Sequence, residues 1–423
     1  MKINYSDKTV FYDVARTPRR QAWWTLPIIW VISFFFLKLY KVKIRKEKVK
    51  GLKPPYILLC NHTQFLDFMV SAIANFPYRI NNIVSIDGYN ISPYLLRAIG
   101  SVPKRKFNND INLIKNINYV LTDLHGIVGL YPEARYSFDG TNSVLPDSLG
   151  KLIKLLKYPV VLLKFEGHHL QLPSWAKKSR KVKLQSEMRP LFTREDIQKY
   201  SALEINTIIN KEFQYNEYNY QKEHHILIKE KYRAEGLHKI LYKCQHCGKE
   251  FETDSAREII FCYHCTSSWI LKENGDLECT TGETKFRTIP EWYEWQRREV
   301  RKEVENRHYA FSFSSQAYSM PHPKKFIDLG TADFEQNMEG IKVAGYFNGQ
   351  PFCLERKAID TYSIHVEYKF PYLKGKDIIS ISSGSDTLFF VPDKSNKIQK
   401  IALATEELYK YYKEKKNAQS VNL

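Results

Sequence analysis

The sequence is short of acidic side chains and lacks the features of a secretory signal. Its 423 residues, enough for two or three domains, include 46 Asp and Glu against 64 Lys and Arg, a formal charge of +18 at pH 7. This excess predicts an anionic partner, and anionic lipid and nucleic acid both satisfy it on charge alone. The first apolar run follows more than twenty residues and carries no small-residue cleavage site, so we expect no cleaved leader.

The sequence also lacks the cysteine pattern of a disulfide-rich protein. Four of its seven cysteines form two C-x-x-C pairs joined by a hairpin-length insert, which is typical of metal ligands in a reducing compartment. Four thiolates close a tetrahedral Zn²⁺ coordination sphere and leave no position for water, so we predict a structural zinc ribbon over residues 236–285. The predicted ligands are Cys244, Cys247, Cys262 and Cys265, with His246 and His264 as alternative ligands.

An uninterrupted membrane-spanning run is missing as well. Residues 23–40 are apolar and aromatic, but four other residues interrupt them, and a spanning helix needs about 20 apolar residues. Cations flank both ends of this run, whereas a spanning helix normally has its excess of cations on one side. We therefore predict that residues 1–48 attach the chain to one leaflet, along or just within the interface. A buried helix of a soluble domain is the alternative.

No serine or cysteine occupies a nucleophile elbow, so a catalyst built from this chain would have to activate a substrate group. His62 and Asp67 follow the apolar run 56–60 and straddle a predicted strand-to-helix turn, where Thr63 or Asn61 is placed to cap the helix. The carboxylate can then reach the imidazole, fix its tautomer and stabilise its protonated form. The pair predicts a general base for a substrate hydroxyl, and a polar turn is the alternative.

Four motifs in order carry a resemblance to a known family. Asn61-His62 with Asp67, Gly100 to Lys106, Tyr131 to Gly140 and Tyr158 to Val161 resemble the signatures of the H-x4-D glycerolipid acyltransferases, typified by lysophosphatidic acid acyltransferases. The motifs cover roughly residues 50–190. The resemblance implies an α/β catalytic domain, placed here at residues 49–235, in which His62 is the base and Asp67 orients it.

The resemblance also implies an acceptor site. In the family an arginine of the second motif helps to bind the acceptor phosphate, and Arg105 is the residue that aligns with it. Glu133 and Arg135, after the predicted strand 126–131, would position the acceptor with it. The third motif departs from the family, because Arg135 stands one place early and Tyr136 occupies the usual arginine position. This shift bears on which lipid is the acceptor rather than on acyl transfer itself.

Residues 286–423 predict a linker helix, a β-rich module and a C-terminal helix. Short apolar segments alternate with turn signals between residues 310 and 400, and a helical pattern closes the chain. Several strands followed by one helix resemble a pleckstrin-homology-like sandwich. Such a module would bind a lipid headgroup, a protein or a neighbouring domain.

Together these patterns predict a membrane-associated O-acyltransferase. It would move an acyl group from acyl-CoA or an acyl-carrier protein to a lysophospholipid, with 1-acylglycerol-3-phosphate as the expected acceptor and phosphatidic acid as the product. We expect it at the cytoplasmic face of the cell membrane, a bacterial inner membrane by its richness in Lys, Ile and Asn, without nucleic acid as a partner. The alternatives are a different acceptor, including water, or a non-catalytic binding protein that holds a protein or nucleic acid at the membrane.

Overall fold

The computed structural model describes residues 3, 5, 9–108 and 110–421, and this part of the chain forms three sheets. The strands of the first sheet are β1 (Lys43–Lys46), β2 (Tyr56–Cys60), β3 (Ile80–Ser85), β4 (Val102–Lys104), β5 (Ile127–Leu130), β6 (Val160–Glu166) and β7 (Gln185–Phe192). They lie in the order β1-β7-β6-β2-β5-β3-β4. All neighbours are parallel except β6 and β7. The strand β1 lies within residues 1–48, so the segment predicted for membrane attachment also contributes an edge strand.

Helices cover both faces of this sheet because its central strand is apolar at every position. Tyr56, Leu58 and Cys60 of β2 pack into one core, and the alternate residues Ile57 and Leu59 pack into a second core on the opposite face. The helices of this region are α1 (Thr25–Leu39), α2 (Leu66–Ala74), α3 (Pro93–Ala98), α4 (Ile111–Thr122), α5 (Leu149–Leu156), α6 (His168–Gln171), α7 (Arg194–Lys199), α8 (Ala202–Glu212) and α9 (Glu217–Glu223). The α/β architecture predicted for this region is therefore present.

Helix α1 directs Thr25 and Ser33 towards the protein and most of its large apolar residues outward. Thr25, Ser33 and Leu37 are buried on the side that packs against α2. The large exposed side chains of this segment are Trp23, Trp24, Ile28, Val31, Ile32, Phe34, Phe35, Phe36 and Leu39. No helix in the described part of the chain is long and apolar enough to cross a membrane. The 15-residue α1 is thus an exposed apolar helix on the surface of the α/β domain.

The second sheet is small and antiparallel and carries the cysteine pairs. Its strands are β8 (Thr253–Ala256), β9 (Ile259–Cys262), β10 (Ser268–Leu271) and β11 (Leu277–Cys279), in the order β11-β10-β9-β8. Helix α10 (Ile289–Glu305) follows, and its Trp292 packs against Trp269 of β10 with ring centroids 4.9 Å apart. The ring nitrogen of Trp292 donates a hydrogen bond to the carbonyl of Lys243, next to the first cysteine. The helix α10 therefore holds the ribbon from one side.

The third sheet and a long helix form the C-terminal module. Its seven antiparallel strands are β12 (Ala310–His322), β13 (Lys325–Asn337), β14 (Gly340–Phe347), β15 (Gln350–Lys357), β16 (His365–Phe370), β17 (Lys376–Ser383) and β18 (Asp386–Pro392). They lie in the order β15-β14-β13-β12-β18-β17-β16, and α11 (Lys397–Val421) follows them. The predicted β-rich module with a terminal helix is present, and its pleckstrin-homology-like character stays a prediction.

Candidate active site

The candidate active site lies at the carboxyl end of β2, where the chain turns into α2. The side chain of Asn61 bonds to both backbone groups of Phe165 on β6, accepting from its N–H at 2.8 Å and donating to its carbonyl at 3.0 Å. Asn61 therefore fixes the end of β2 against the neighbouring strand. It does not cap α2, and the residue that precedes this helix, Phe65, makes no side-chain cap. The capping role predicted for Thr63 or Asn61 is wrong for this reason.

Asp67, in the first turn of α2, binds the preceding turn and also holds His62. Its Oδ2 atom lies 3.1 Å from Nδ1 of His62 and accepts hydrogen bonds from the backbone N–H groups of Thr63 at 2.7 Å and Gln64 at 3.0 Å. The residue is fully buried. Burial alone would raise the pKa of Asp67, but hydrogen bonds from His168 and His62 outweigh it and lower this pKa. Asp67 is therefore an anion that orients His62.

A second histidine completes the arrangement. Nδ1 of His168, at the start of α6, lies 2.8 Å from Oδ1 of Asp67, and the side chain is fully buried. The side-chain amide of Gln64 donates to the carbonyl of His168 at 3.0 Å. Sequence analysis gave His168 no role. Its position just after β6 is the sequence signal that could have identified it. The strands β2 and β6 are parallel neighbours, so their carboxyl ends meet at the same edge of the sheet.

Asp67 contacts Nδ1 of His62, so Nε2 is the ring nitrogen that faces away from Asp67. Its side chain is 25% exposed, and its ring lies 4.5 Å from the rings of both Tyr131 and Tyr136. Burial, followed by the charges of Glu367, Asp67 and Asp87, raises the pKa of Tyr136. Tyr136, which stands where the resemblance implies an arginine, is thus a neutral aromatic neighbour of His62.

The predicted acceptor residue Glu133 lies near His62 and is buried. Its Oε2 atom accepts a hydrogen bond from the hydroxyl of Tyr215 at 3.3 Å, and burial raises its pKa well above the ordinary value for a glutamate. Burial therefore favours the protonated form of the Glu133 carboxyl, which can donate as well as accept a hydrogen bond.

The two predicted acceptor arginines are engaged by the C-terminal module. Arg135 forms a buried ion pair with Glu406 of α11 at 2.5 Å and donates to the hydroxyl of Ser363 at 3.0 Å. Arg105 donates to the hydroxyl of Thr387 at 2.7 Å and to the carbonyl of Ser385. Both guanidinium groups are therefore directed away from solvent and into contacts between the two domains.

The chain is similar to an enzyme among the solved structures. That enzyme is the 1-acyl-sn-glycerophosphate (LPA) acyltransferase PlsC from Thermotoga maritima, at 15% identity and a TM-score of 0.34. The match covers 46% of this chain and 82% of that enzyme. No protein-family model and no curated protein matches the sequence. The chemistry available to His62 therefore follows from its own neighbours.

The four predicted zinc ligands come together. The sulfur atoms of Cys244 and Cys265 lie 3.6 Å apart, and those of Cys247 and Cys262 lie 3.9 Å apart. Tetrahedral Zn²⁺ with bonds of about 2.3 Å requires sulfur atoms roughly 3.8 Å from one another. The four thiol groups are thus spaced to bind one metal ion such as zinc.

We expect Cys247→Ser to lose the metal and destabilise the ribbon. Removing one of four thiolates weakens a structural Zn²⁺ site, whose binding energy is also folding energy. Zinc content per chain and the melting temperature would both fall. The matched control is Cys353→Ser, because Cys353 is an exposed free thiol on β15, outside the ribbon. Full zinc content in Cys247→Ser would contradict a four-cysteine site.

Glu217 makes the stability of the α/β domain depend on pH. Its Oε1 atom accepts a hydrogen bond at 3.1 Å from the backbone N–H of Gly167, the residue before His168. Burial raises its pKa from 4.5 to about 8. The folded chain thus binds a proton that the unfolded chain has lost, so stability falls as pH rises from 4.5 to about 8.

We expect Glu217→Gln to remove this decline. The slope that it removes is at most about 1.4 kcal/mol per pH unit, because glutamine cannot ionise. Urea unfolding of both proteins at several pH values measures it. The control is Glu223→Gln, an exposed position at the end of the same helix, which should leave the slope unchanged. Equal slopes in Glu217→Gln and the native chain would show that Glu217 is ionised when folded.

Proposed function

We propose that this protein is a membrane-associated acyltransferase that moves an acyl group from a thioester donor to a lysophospholipid hydroxyl. The observation that carries the proposal is the His62–Asp67 pair, with 3.1 Å between Nδ1 and Oδ2, at the carboxyl end of a parallel strand. An imidazole oriented by a buried carboxylate is a general base, and ligands bind open α/β sheets at this edge. The donor would be acyl-CoA or an acyl-carrier protein.

The proposed reaction has two steps and needs no nucleophile from the protein. Nε2 of His62 takes the proton of the acceptor hydroxyl while its oxygen attacks the thioester carbonyl, and the Asp67 carboxylate stabilises the imidazolium. The tetrahedral intermediate then breaks its carbon–sulfur bond. The departing thiolate receives the proton from His62, which leaves an ester, a free thiol and the neutral base.

The outward face of α1 supports attachment to a membrane. Apolar side chains cover the exposed side of the helix, while its small polar residues Thr25 and Ser33 face the protein. Phe65, which is 61% exposed, stands at the start of α2, the helix against which α1 packs, and only three residues after His62. Burying these apolar side chains among acyl chains is favourable at about 25 cal/mol per Å². An acceptor could then reach His62 without leaving the lipid.

The ion pair of Arg135 with Glu406 bears on the identity of the acceptor. 1-acylglycerol-3-phosphate is our first candidate, as the motifs imply, but the phosphate would have to compete with Glu406 for Arg135. This contact also favours a second candidate function, a non-catalytic protein that uses the acyltransferase fold to hold a partner at the membrane. A protein that does not bind the acceptor phosphate can keep that arginine in a permanent internal ion pair.

The test is transfer of a labelled acyl group from a thioester donor to a panel of lysophospholipids and other lipid alcohols. Free acid is measured in parallel, so that hydrolysis is separated from transfer. Product that depends on His62 supports the enzyme and identifies the acceptor. If protein bound to vesicles gives no product with acyl-CoA or acyl-carrier-protein donors, the acyltransferase proposal is overturned. The non-catalytic binding protein then remains as the proposed function.

A further inference from the structure

A second group of ligand-type side chains lies between the α/β domain and the C-terminal module. Asp87 is in the 3-10 turn Ile86–Asn90, directly after β3, and His365 and Glu367 lie two residues apart on β16. Their ligand atoms all lie within 4.8 Å of one another, and Nε2 of His365 is 3.7 Å from Oε2 of Glu367. These three side chains belong to none of the sites already described.

An unpaired carboxylate oxygen and an oriented histidine ring make this cluster suited to bind a cation. Oδ1 of Asp87 is buried and makes no hydrogen bond in the described structure, an arrangement that is costly for a carboxylate oxygen. Nδ1 of His365 lies 2.8 Å from the hydroxyl of Ser380, which orients the ring and leaves Nε2 facing the cluster. Metal-binding histidines are held in the same way through their second nitrogen.

A cationic side chain already contacts two of the three residues of the cluster. Nζ of Lys106 lies 2.6 Å from Nε2 of His365 and 3.5 Å from Oδ2 of Asp87. The Lys106 side chain is 21% exposed, and its flexible stem can carry the ammonium group out to solvent. Ser380 would continue to orient the ring of His365 after such a movement.

We propose that Asp87, His365 and Glu367 bind one divalent transition-metal ion in competition with the ammonium group of Lys106. Two ligands at about 2.1 Å from one ion lie at most about 4.2 Å apart, so the His365–Glu367 pair at 3.7 Å already fits. A rotation of the Asp87 carboxylate completes the set. One imidazole and two carboxylates suit Mn²⁺ or Zn²⁺, whereas Mg²⁺ and Ca²⁺ prefer oxygen alone.

The ion would connect two domains next to the candidate base. Asp87 follows β3 of the α/β sheet and the other two ligands belong to the C-terminal module, so bound metal would cross-link them. Tyr136 lies beside His62, and the negative charges of Asp87 and Glu367 help to raise the pKa of its hydroxyl. The proposal goes beyond acyl transfer and does not depend on it.

Mn²⁺ is the probe that separates this site from the zinc ribbon. Carboxylate and imidazole ligands accept Mn²⁺, whereas four thiolates retain Zn²⁺. The zinc-loaded full chain is titrated with Mn²⁺, and electron paramagnetic resonance measures the free ion. We expect one bound Mn²⁺ per chain and a rise in melting temperature on binding.

Three variants identify the ligands and the competing lysine. His365→Ala and Glu367→Gln should each weaken Mn²⁺ binding by at least about 10-fold, and Lys106→Met should strengthen it by about 10-fold. The controls are His308→Ala and Glu335→Gln, exposed positions away from the cluster that should bind Mn²⁺ as the native chain does. Unchanged zinc content and circular dichroism show that each variant is folded.

Two results would overturn the proposal. One is the absence of Mn²⁺ binding by the native chain at millimolar Mn²⁺. The other is binding that neither His365→Ala nor Glu367→Gln changes while both variants remain folded. Binding is read without acyl transfer, so either result is distinct from a failure of the acyltransferase assay.

Discussion

Replacing His62 with alanine should lower the kcat of acyl transfer by about 10²- to 10⁴-fold, the usual contribution of a general base. No other described imidazole can take the place of His62, because His168, the second partner of Asp67, is fully buried. Asp67→Asn should cause a loss of similar size, since an amide can hold His62 in the wrong tautomer and cannot stabilise its cation. KM should change less than kcat, because neither change removes a group predicted to bind the acceptor.

The matched control for this prediction is His308→Ala. His308 is an exposed histidine just after α10, so its removal should leave the rate unchanged. Each variant is assayed with the acceptor that gives the most product, and its unfolding curve is compared with that of the native chain. A folded His62→Ala protein with more than a tenth of the native kcat would rule out His62 as the base.

Replacing Glu406 with glutamine should lower the free energy of unfolding by about 3–5 kcal/mol, the usual cost of breaking a buried ion pair. Its carboxylate lies 2.5 Å from Arg135 and 2.7 Å from Arg297, and all three side chains are largely buried. Burial opposes ionisation, but these two arginines lower the pKa of Glu406 to about 2. Neutral glutamine would leave two guanidinium groups facing each other without their shared anion.

Glu414→Gln is the control for this loss. Glu414 is on the same helix and pairs with Arg301 at 2.5 Å, but its side chain is 63% exposed, so its loss should cost less than about 1 kcal/mol. Urea unfolding at neutral pH measures both. The difference between the variants should shrink as pH falls from 4.5 towards 2, where the contribution of Glu406 to native stability is lost. Equal losses in both variants would contradict the buried pair as a source of stability.

Local patterns were sufficient to predict much of the α/β domain. The apolar run 56–60 coincides with β2, and the predicted strand 126–131 contains β5. The His62–Asp67 pair could be predicted because its members are five residues apart and one turn brings them together. His168 could not, because it is 101 residues from Asp67 and reaches it only through the pairing of β2 with β6.

The surroundings of the arginines were beyond sequence reasoning for the same physical reason. Arg135 was predicted to meet an acceptor, but its partners Ser363 and Glu406 belong to a module whose docking leaves no periodic signal. Relative to the motif that the resemblance implies, Arg135 stands one place early. This displacement was evident in the sequence, whereas Glu406, the ion-pair partner of Arg135, could be identified only from the fold.

The contact of Arg105 with Thr387 also bears on the order in which the domains can assemble during synthesis. The two residues are 282 positions apart, and Glu406, the partner of Arg135, is made later still. Ribosomes add roughly 5–20 residues each second, and domains fold as they emerge. The α/β domain therefore spends many seconds outside the ribosome before Thr387 and Glu406 are available to Arg105 and Arg135. The ion pair between Arg135 and Glu406 can form only after this part of α11 has emerged.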